Sequence, residues 1–314
     1  MIRLATIGTS AITRSLIDAV GLVDGVTVTA VYSRDPGRGR TFADSVGVAD
    51  AYSDLPSMLA SDIDAVYVAS PNTSHEAQAL AAVRAGKHVL VEKPAVTSAA
   101  AWGGLCAGAR DHGVVLLEAM RTEYDPGLDV IRELMGSIGT IRRVQLGYQK
   151  RSARYDQVLA GERVNIFDPA MAGGALMDLG VYCIHALVSL CGEPQSVKAA
   201  SVTVASGADG AGSALCTYPG FVAEVLYSKI TTSNLPSEIQ GEQGTLLIDQ
   251  IASPSSLTIE RLDGTSTTRT LPAPPHGLIG EVERFVDLVD HSGDPARDQH
   301  LTAATLRVID AIRQ

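Results

Sequence analysis

Aromatic side chains are scarce in this chain. At 4% of 314 residues they cannot fill a core, so the core must be aliphatic and alanine-rich. Cysteines are few and scattered. Cys106, Cys183, Cys191 and Cys216 form no Cys-x-x-Cys pair, which excludes a disulfide frame and points to reduced thiols in a cytoplasmic protein. No metal site is expected. Positive charge is in deficit: a net charge of −10 argues against nucleic acid or an anionic membrane as the main partner. A local cationic pocket for one phosphate is compatible with that balance. No apolar run reads as long enough for a membrane span. The N-terminus, Met1-Ile2-Arg3-Leu4-Ala5-Thr6-Ile7-Gly8, is strand-like and too short for a signal peptide. What remains is a globular chain, 46% hydrophobic, long enough for two domains.

The first 120 residues alternate strands and helices. Residues 2–7 form a β run ending at Gly8. Gly8, Thr9, Ser10, Ala11 and Ile12 then turn into a helix whose apolar stripe runs through Leu16, Ile17 and Val20. Strand, tight turn and helix open a dinucleotide-binding unit: Gly8 allows the sharp turn, and the helix N-terminus offers N–H groups to a pyrophosphate. The second and third glycines of that fingerprint are missing, with Ser10 and Thr13 in their places. Residues 26–33 are the second strand. The acidic residue that usually follows it, to bind the ribose hydroxyls of NAD, is also missing. Ser33 and Arg34 stand there instead, with Arg38 and Arg40 close behind. Guanidinium groups suit a 2′-phosphate, so NADP is expected ahead of NAD. At least one of Arg38 and Arg40 belongs to a solvated helix face, and Asp35 either caps the next helix or repels a 2′-phosphate.

Residues 65–69 form a buried strand leading to Ser70-Pro71-Asn72-Thr73-Ser74-His75-Glu76. Thr73 and Glu76 have capping-box spacing. This strand end places Ser70, Pro71, Asn72 and His75 beside the nucleotide. A further buried run, His88-Val89-Leu90-Val91, stops at Glu92-Lys93-Pro94. In an open α/β sheet the strand C-termini face the ligand crevice, so Lys93 can reach a substrate and Glu92 lies near the nicotinamide or its ribose. The fifth strand, residues 114–119, runs into Met120 and Arg121, and Arg121 joins the cofactor or substrate contacts. The expected fold is α/β, with a doubly wound parallel sheet over residues 1–120.

Residues 121–314 change pattern. A helix at 126–135 precedes an alternating strand at 141–148. An irregular polar stretch follows, carrying Arg151, Tyr155 and Asn165 as low-ranking substrate contacts. Gly173-Gly174 then leads to Asp178-Leu179-Gly180 and an apolar helix ending at Gly192. Asp178, Tyr182 and His185 have the spacing of one helix face. Several strands between 197 and 262, with turn signals at Pro219-Gly220 and Gly241-Gly244, predict an open, mostly antiparallel sheet. Helices near 278–291 and 299–312 close the chain and are expected to pack back on the first domain.

Gly8-Thr9, Ser70-Pro71-Asn72 with His75, Glu92-Lys93-Pro94, and Gly173-Gly174 before Asp178-Leu179-Gly180 occur in that order. Together they resemble the Gfo/Idh/MocA family of NAD(P)-dependent oxidoreductases over essentially the whole chain. The resemblance implies a Rossmann domain, and a second α/β domain whose sheet mediates homodimers or homotetramers. The family's sugar and inositol dehydrogenases carry His four residues after the Asp. This chain has Tyr182 there, which resembles the glucose-fructose oxidoreductase and dimeric dihydrodiol dehydrogenase branch. The Gly-Thr-Ser turn is similar to that of YgjR-type dehydrogenases.

The reaction expected is hydride transfer between NADP(H) and a secondary alcohol, or its carbonyl, of a sugar, polyol or diol. Tyr182 would be the acid/base, Lys93 the nearby cation and Asp178 the residue that orients Lys93 or substrate. His185 would contact substrate or stand behind it. A redox-neutral NAD-dependent glycosidase and a non-catalytic cofactor sensor remain the alternatives.

Overall fold

A computed structural model describes all 314 residues. The chain divides into two units, one of residues Met1–Met120 and Pro274–Ala303, the other of Arg121–Ala273 and Ala304–Gln314.

In the first unit, β1 (Ile2–Ile7), β2 (Val26–Tyr32), β3 (Asp50–Tyr52), β4 (Ala65–Val68), β5 (His88–Glu92) and β6 (Leu116–Ala119) form one parallel sheet in the order β3-β2-β1-β4-β5-β6. Helices α1 (Ala11–Val20), α2 (Pro36–Ser45), α3 (Leu55–Leu59), α4 (Asn72–Arg84) and α5 (Ala99–Asp111) connect them. This is the doubly wound dinucleotide order, whose ligand crevice opens at the strand C-termini where the order reverses. The central strands are covered on both faces, which is why they read as unbroken apolar runs: Val66, Tyr67, Val68, Val89 and Val91 have no exposure. Residues 274–303 add the helix Ile279–Asp290 and the start of the last helix. Gln299 ties that addition in, accepting the Trp102 indole N–H on its main-chain oxygen and donating its side-chain amide to the Leu116 carbonyl.

The second unit contains α6 (Pro126–Met135), β7 (Ile141–Gln149), α7 (Tyr155–Leu159), two 3-10 turns (Asn165–Phe167 and Pro169–Met171), a π-helical turn (Leu176–Gly180) and α8 (Val181–Cys191). Strands β8 (Ser196–Thr203), β9 (Asp209–Tyr218), β10 (Phe221–Ser228), β11 (Ser237–Gly241), β12 (Gly244–Ile248), β13 (Ser256–Arg261) and β14 (Ser266–Thr270) complete an eight-stranded sheet with β7. Its pairs are antiparallel except β7 with β10. Alternation sets the covered face: along β10, Ala223, Val225 and Tyr227 are buried, whereas Val222 is 38% exposed.

Three expectations need correction. Thr73 and Glu76 do not form a capping box. The helix starts two residues earlier than a Thr73 cap requires, at Asn72, because Pro71 takes the N-cap position with extended backbone, and no side chain caps that end. The reciprocal cap is at α1, between Ser10 and Thr13. Short elements β3, α3, α7 and β14 were not legible, being too short or too polar for periodicity. Finally, the expectation that no apolar run has the length of a membrane span is corrected: Pro169–Cys191 is long and apolar enough by length and composition. Its apolar window is 72% buried inside the fold, and its apolarity is that of a core helix.

Candidate active site

At the first βα turn, Gly8 has φ +121°, and a Cβ there would lie 2.5 Å from the Ala69 carbonyl oxygen. Only glycine permits β1 to end so close to the end of β4. Ser10 then caps α1: its hydroxyl accepts the Thr13 N–H, and the Thr13 hydroxyl accepts the Ser10 N–H. That cap leaves the first N–H groups, on Ala11 and Ile12, pointing out of the helix tip. The end of β2 carries half-buried Ser33 and exposed Arg34 and Arg38. Asp35 caps α2 by accepting the Arg38 N–H at 3.0 Å. Arg40 is structural: its guanidinium donates to the Val48 and Ala49 carbonyls and pairs with Asp44. This unit thus brings a glycine-cleared turn, a helix tip and the exposed guanidinium groups of Arg34 and Arg38 to its strand C-termini.

The segment around Lys93 is held from three sides. The Tyr67 hydroxyl donates to Glu92 Oε2 at 2.6 Å. His75 lies between two main-chain carbonyls, with Nδ1 2.9 Å from Pro94 O and Nε2 2.8 Å from Ser70 O. Glu118, almost fully buried, accepts the Ala95 N–H on one oxygen and the Thr302 hydroxyl on the other. Lys93 itself is half-buried. His75 is fully buried, with each ring nitrogen facing a main-chain carbonyl. Burial drives its imidazole below the usual histidine range, with Lys93 adding to the shift. A neutral ring carries one N–H, so only one of its two carbonyl contacts is a donated hydrogen bond at a time.

In the second unit the glycine pair has a steric origin. A Cβ on Gly173 would lie 2.6 Å from the Asn165 carbonyl oxygen, and one on Gly174 only 1.9 Å from Asp209 Oδ1. Asp209, from β9, caps the helical segment that follows, accepting the Leu176 N–H at 2.6 Å. Burial pushes its carboxyl above the usual range. The segment then makes a π turn, closed by the Val181 N–H on the Leu176 carbonyl. Such turns insert a residue into the helix and are frequent at functional sites. Gly180 closes the turn where a Cβ would be 3.0 Å from the Tyr227 ring.

The inserted residue changes the geometry read from the i, i+4, i+7 spacing. Asp178 is 39% exposed at its side chain and pairs with buried Lys229 at 2.7 Å. Tyr182 is 8% exposed. The Arg121 guanidinium lies over its ring, 5.1 Å from the centroid, and Tyr148 tilts against it at 5.8 Å. His185 is buried, with Nε2 3.2 Å from Glu123 and Nδ1 3.2 Å from the Thr305 hydroxyl. Both its nitrogens have partners inside the unit, so it is placed as a packed histidine. Arg151 forms an exposed ion pair with Asp156 and covers the Tyr155 ring. Tyr155 packs on Phe167, and Asn165 is exposed on the neighbouring 3-10 turn.

Sequence reasoning missed Lys229, Asp209 and Glu118. Lys229 had a signal: it continues the inward phase of Ala223, Val225 and Tyr227. Glu118 sat inside an apolar run, Leu116-Leu117-Glu118-Ala119.

Residues 2–120 match the model of the Gfo/Idh/MocA oxidoreductase family with NAD-binding Rossmann fold, and residues 131–247 match a Gfo/Idh/MocA C-terminal domain. The chain belongs to this family. It is 42% identical over 290 residues to the scyllo-inositol 2-dehydrogenase (NADP(+)) IolU of Bacillus subtilis, covering 92% of this chain and 88% of that one. It is 37% identical to the uncharacterized oxidoreductase YgjR of Escherichia coli, over 92% and 89% of the two chains. Among solved structures, a 3-ketoreductase from Actinomadura kijaniata in complex with NADP and TDP-benzene superposes with a TM-score of 0.88 at 26% identity, over 99% of this chain and 97% of that one. The parallel sheet with its helices and the mostly antiparallel second sheet are the two folds this family combines.

Proposed function

We propose that this Gfo/Idh/MocA protein is an NADP(H)-dependent dehydrogenase acting on a secondary hydroxyl of a polyol, sugar or diol, or on the matching ketone. The observation that carries the reading is Tyr182: a nearly buried phenol, just past a π turn, with the Arg121 guanidinium over its ring. A phenol with a pKa of about 10 is a poor base at neutrality, and a cation beside it favours its ionised form. Tyr182 would take the hydroxyl proton as the alcohol is oxidised and return it to the ketone oxygen in reduction. Lys93 would hydrogen-bond the same oxygen, and Asp178 would orient Lys93 or a substrate hydroxyl. The nicotinamide, when bound, supplies the hydride acceptor or donor.

For the cofactor, Ala11 and Ile12 would hold the pyrophosphate by their N–H groups, with Gly8, Thr9 and Ser10 shaping the turn. Ser33, Arg34 and Arg38 would hold a 2′-phosphate, since Asp35 is engaged in capping its own helix. Ser70, Pro71, Asn72 and Glu92 would line the nicotinamide end. That relatives named for NADP share this length of chain supports NADP ahead of NAD.

The relative named for scyllo-inositol makes that cyclic polyol the first substrate to test. The expected result is NADPH formation from NADP+ and scyllo-inositol, or from another polyol, sugar or diol in a panel, with NAD+ the weaker acceptor. No net cofactor reduction with any of them, together with hydrolysis of a glycoside, would replace this reading with the redox-neutral one. The four free cysteines accord with a reducing, cytoplasmic setting, and the half-exposed face of the second sheet with a homo-oligomer.

A further inference from the structure

Lys229 follows β10 on the phase of that strand's buried side chains, and its own side chain is 2% exposed. Its main chain is fixed on both sides: its N–H donates to the Gly210 carbonyl and its carbonyl accepts the Ser152 N–H. The ammonium has three N–H groups. Asp178 Oδ2 lies 2.7 Å away, the Ile166 carbonyl accepts at 3.1 Å, and the Phe167 ring centroid is 4.7 Å from the nitrogen.

A buried ammonium is expensive, and a well-packed apolar side chain usually serves stability as well or better. The cation is sealed in, yet its carboxylate partner is 39% exposed. The pair therefore does not close off an internal bridge. It holds an accessible carboxylate from behind. The other acids of the surrounding elements are engaged elsewhere, Asp209 on the Leu176 N–H and Asp168 on Arg163. Through Ile166 and Phe167 the same ammonium fixes the 3-10 turn that abuts Gly173.

We infer that Lys229 is a positioning residue for the reaction: it keeps Asp178 ionised and aimed, locks the Asn165–Phe167 turn to the π turn, and touches no substrate itself. This rests on the reading of Asp178 as part of the reacting machinery.

The test compares Lys229→Met, Lys229→Arg, Asp178→Asn and the Lys229→Met/Asp178→Asn double variant. An NMR titration with carboxyl-labelled aspartate, in which the Asp178 signal is the one lost in Asp178→Asn, needs no substrate. In Lys229→Met the Asp178 midpoint should rise by about one pH unit or more, and Lys229→Arg should bring it back. An unchanged midpoint in Lys229→Met overturns the inference. With NADP+ and scyllo-inositol, or the panel polyol that turns over, Lys229→Met should lose about tenfold or more in kcat. NADP+ affinity should be unchanged, and the loss should not add to that of Asp178→Asn. Additive losses, or a cost confined to thermal stability, mark Lys229 as structural only and overturn it. Full turnover by Asp178→Asn would remove Asp178 from the proposed reaction and Lys229 with it. An impaired Asp178→Asn beside a wild-type Lys229→Met would overturn this inference alone.

Discussion

The Arg121 guanidinium lies 5.1 Å from the centre of the Tyr182 ring, within the same unit of the chain. A fixed cation at that range favours the phenolate over the phenol. Arg121→Met should therefore move the pH at which alcohol oxidation becomes half-maximal upward, and lower kcat at neutral pH, with a smaller effect on substrate KM. Arg121→Lys should recover part of both, since it keeps the charge but not the planar stacking group. A pH profile of kcat for the three proteins checks this.

His75 gives a prediction for stability. Burial depresses its folded-state pKa, so neutral His75 stabilises the fold above the unfolded histidine value, about pH 6.5. That contribution is lost as pH falls through the depressed folded value, because the unfolded chain then binds the proton more readily. Thermal unfolding should shift to lower temperature between about pH 7 and about pH 5. His75→Asn should unfold at lower temperature at neutral pH and show a flatter acid limb. As its carbonyl partners belong to Ser70 and Pro94, the same variant should lose cofactor affinity and kcat together.

The arginines after β2 should separate by role. Arg34 and Arg38 are exposed, and charge-assisted bonds to a phosphate contribute about 1.5–3 kcal/mol each. The Arg34→Ala/Arg38→Ala pair should weaken NADPH binding by about tenfold or more while sparing NADH, read by titration calorimetry at fixed salt. Arg40→Ala should leave cofactor choice alone and lower stability, because its guanidinium closes the Val48 and Ala49 carbonyls.

The two motif glycines should differ in tolerance. Gly174 has φ +139°, and its missing Cβ would overlap Asp209. Gly174→Ala should break the cap on Leu176 and cost about 3 kcal/mol or more, enough to deplete folded protein. Gly180→Ala meets the Tyr227 ring at 3.0 Å and the Leu176 side chain at 3.2 Å. It should fold, at a cost of about 1–3 kcal/mol measured by denaturant unfolding.

How much of this was legible varies with the physics of each element. The buried parallel strands were plain because Val66–Val68 and Val89–Val91 have cover on both faces. Glu92-Lys93-Pro94 at a strand end was equally plain. The order of the second sheet was not, since the parallel pairing of β7 with β10 joins strands more than seventy residues apart and leaves no local trace. The Asp178–Tyr182 spacing was misread as α-helical, because nothing in five consecutive residues announces a π turn. It follows from the contacts of Gly180 with Tyr227 and of Asp209 with Leu176, both long-range. Lys229 was written into its strand's alternation, but its partner Asp178 lies some fifty residues away.

The central claim is that Tyr182 moves the proton. Tyr182→Phe keeps the ring under Arg121 and removes only the hydroxyl. The decisive measurement is NADPH formation by this variant, with NADP+ binding measured on the same protein. The account predicts a kcat lower by about a hundredfold or more with cofactor affinity intact. Turnover by Tyr182→Phe at the wild-type rate would contradict it.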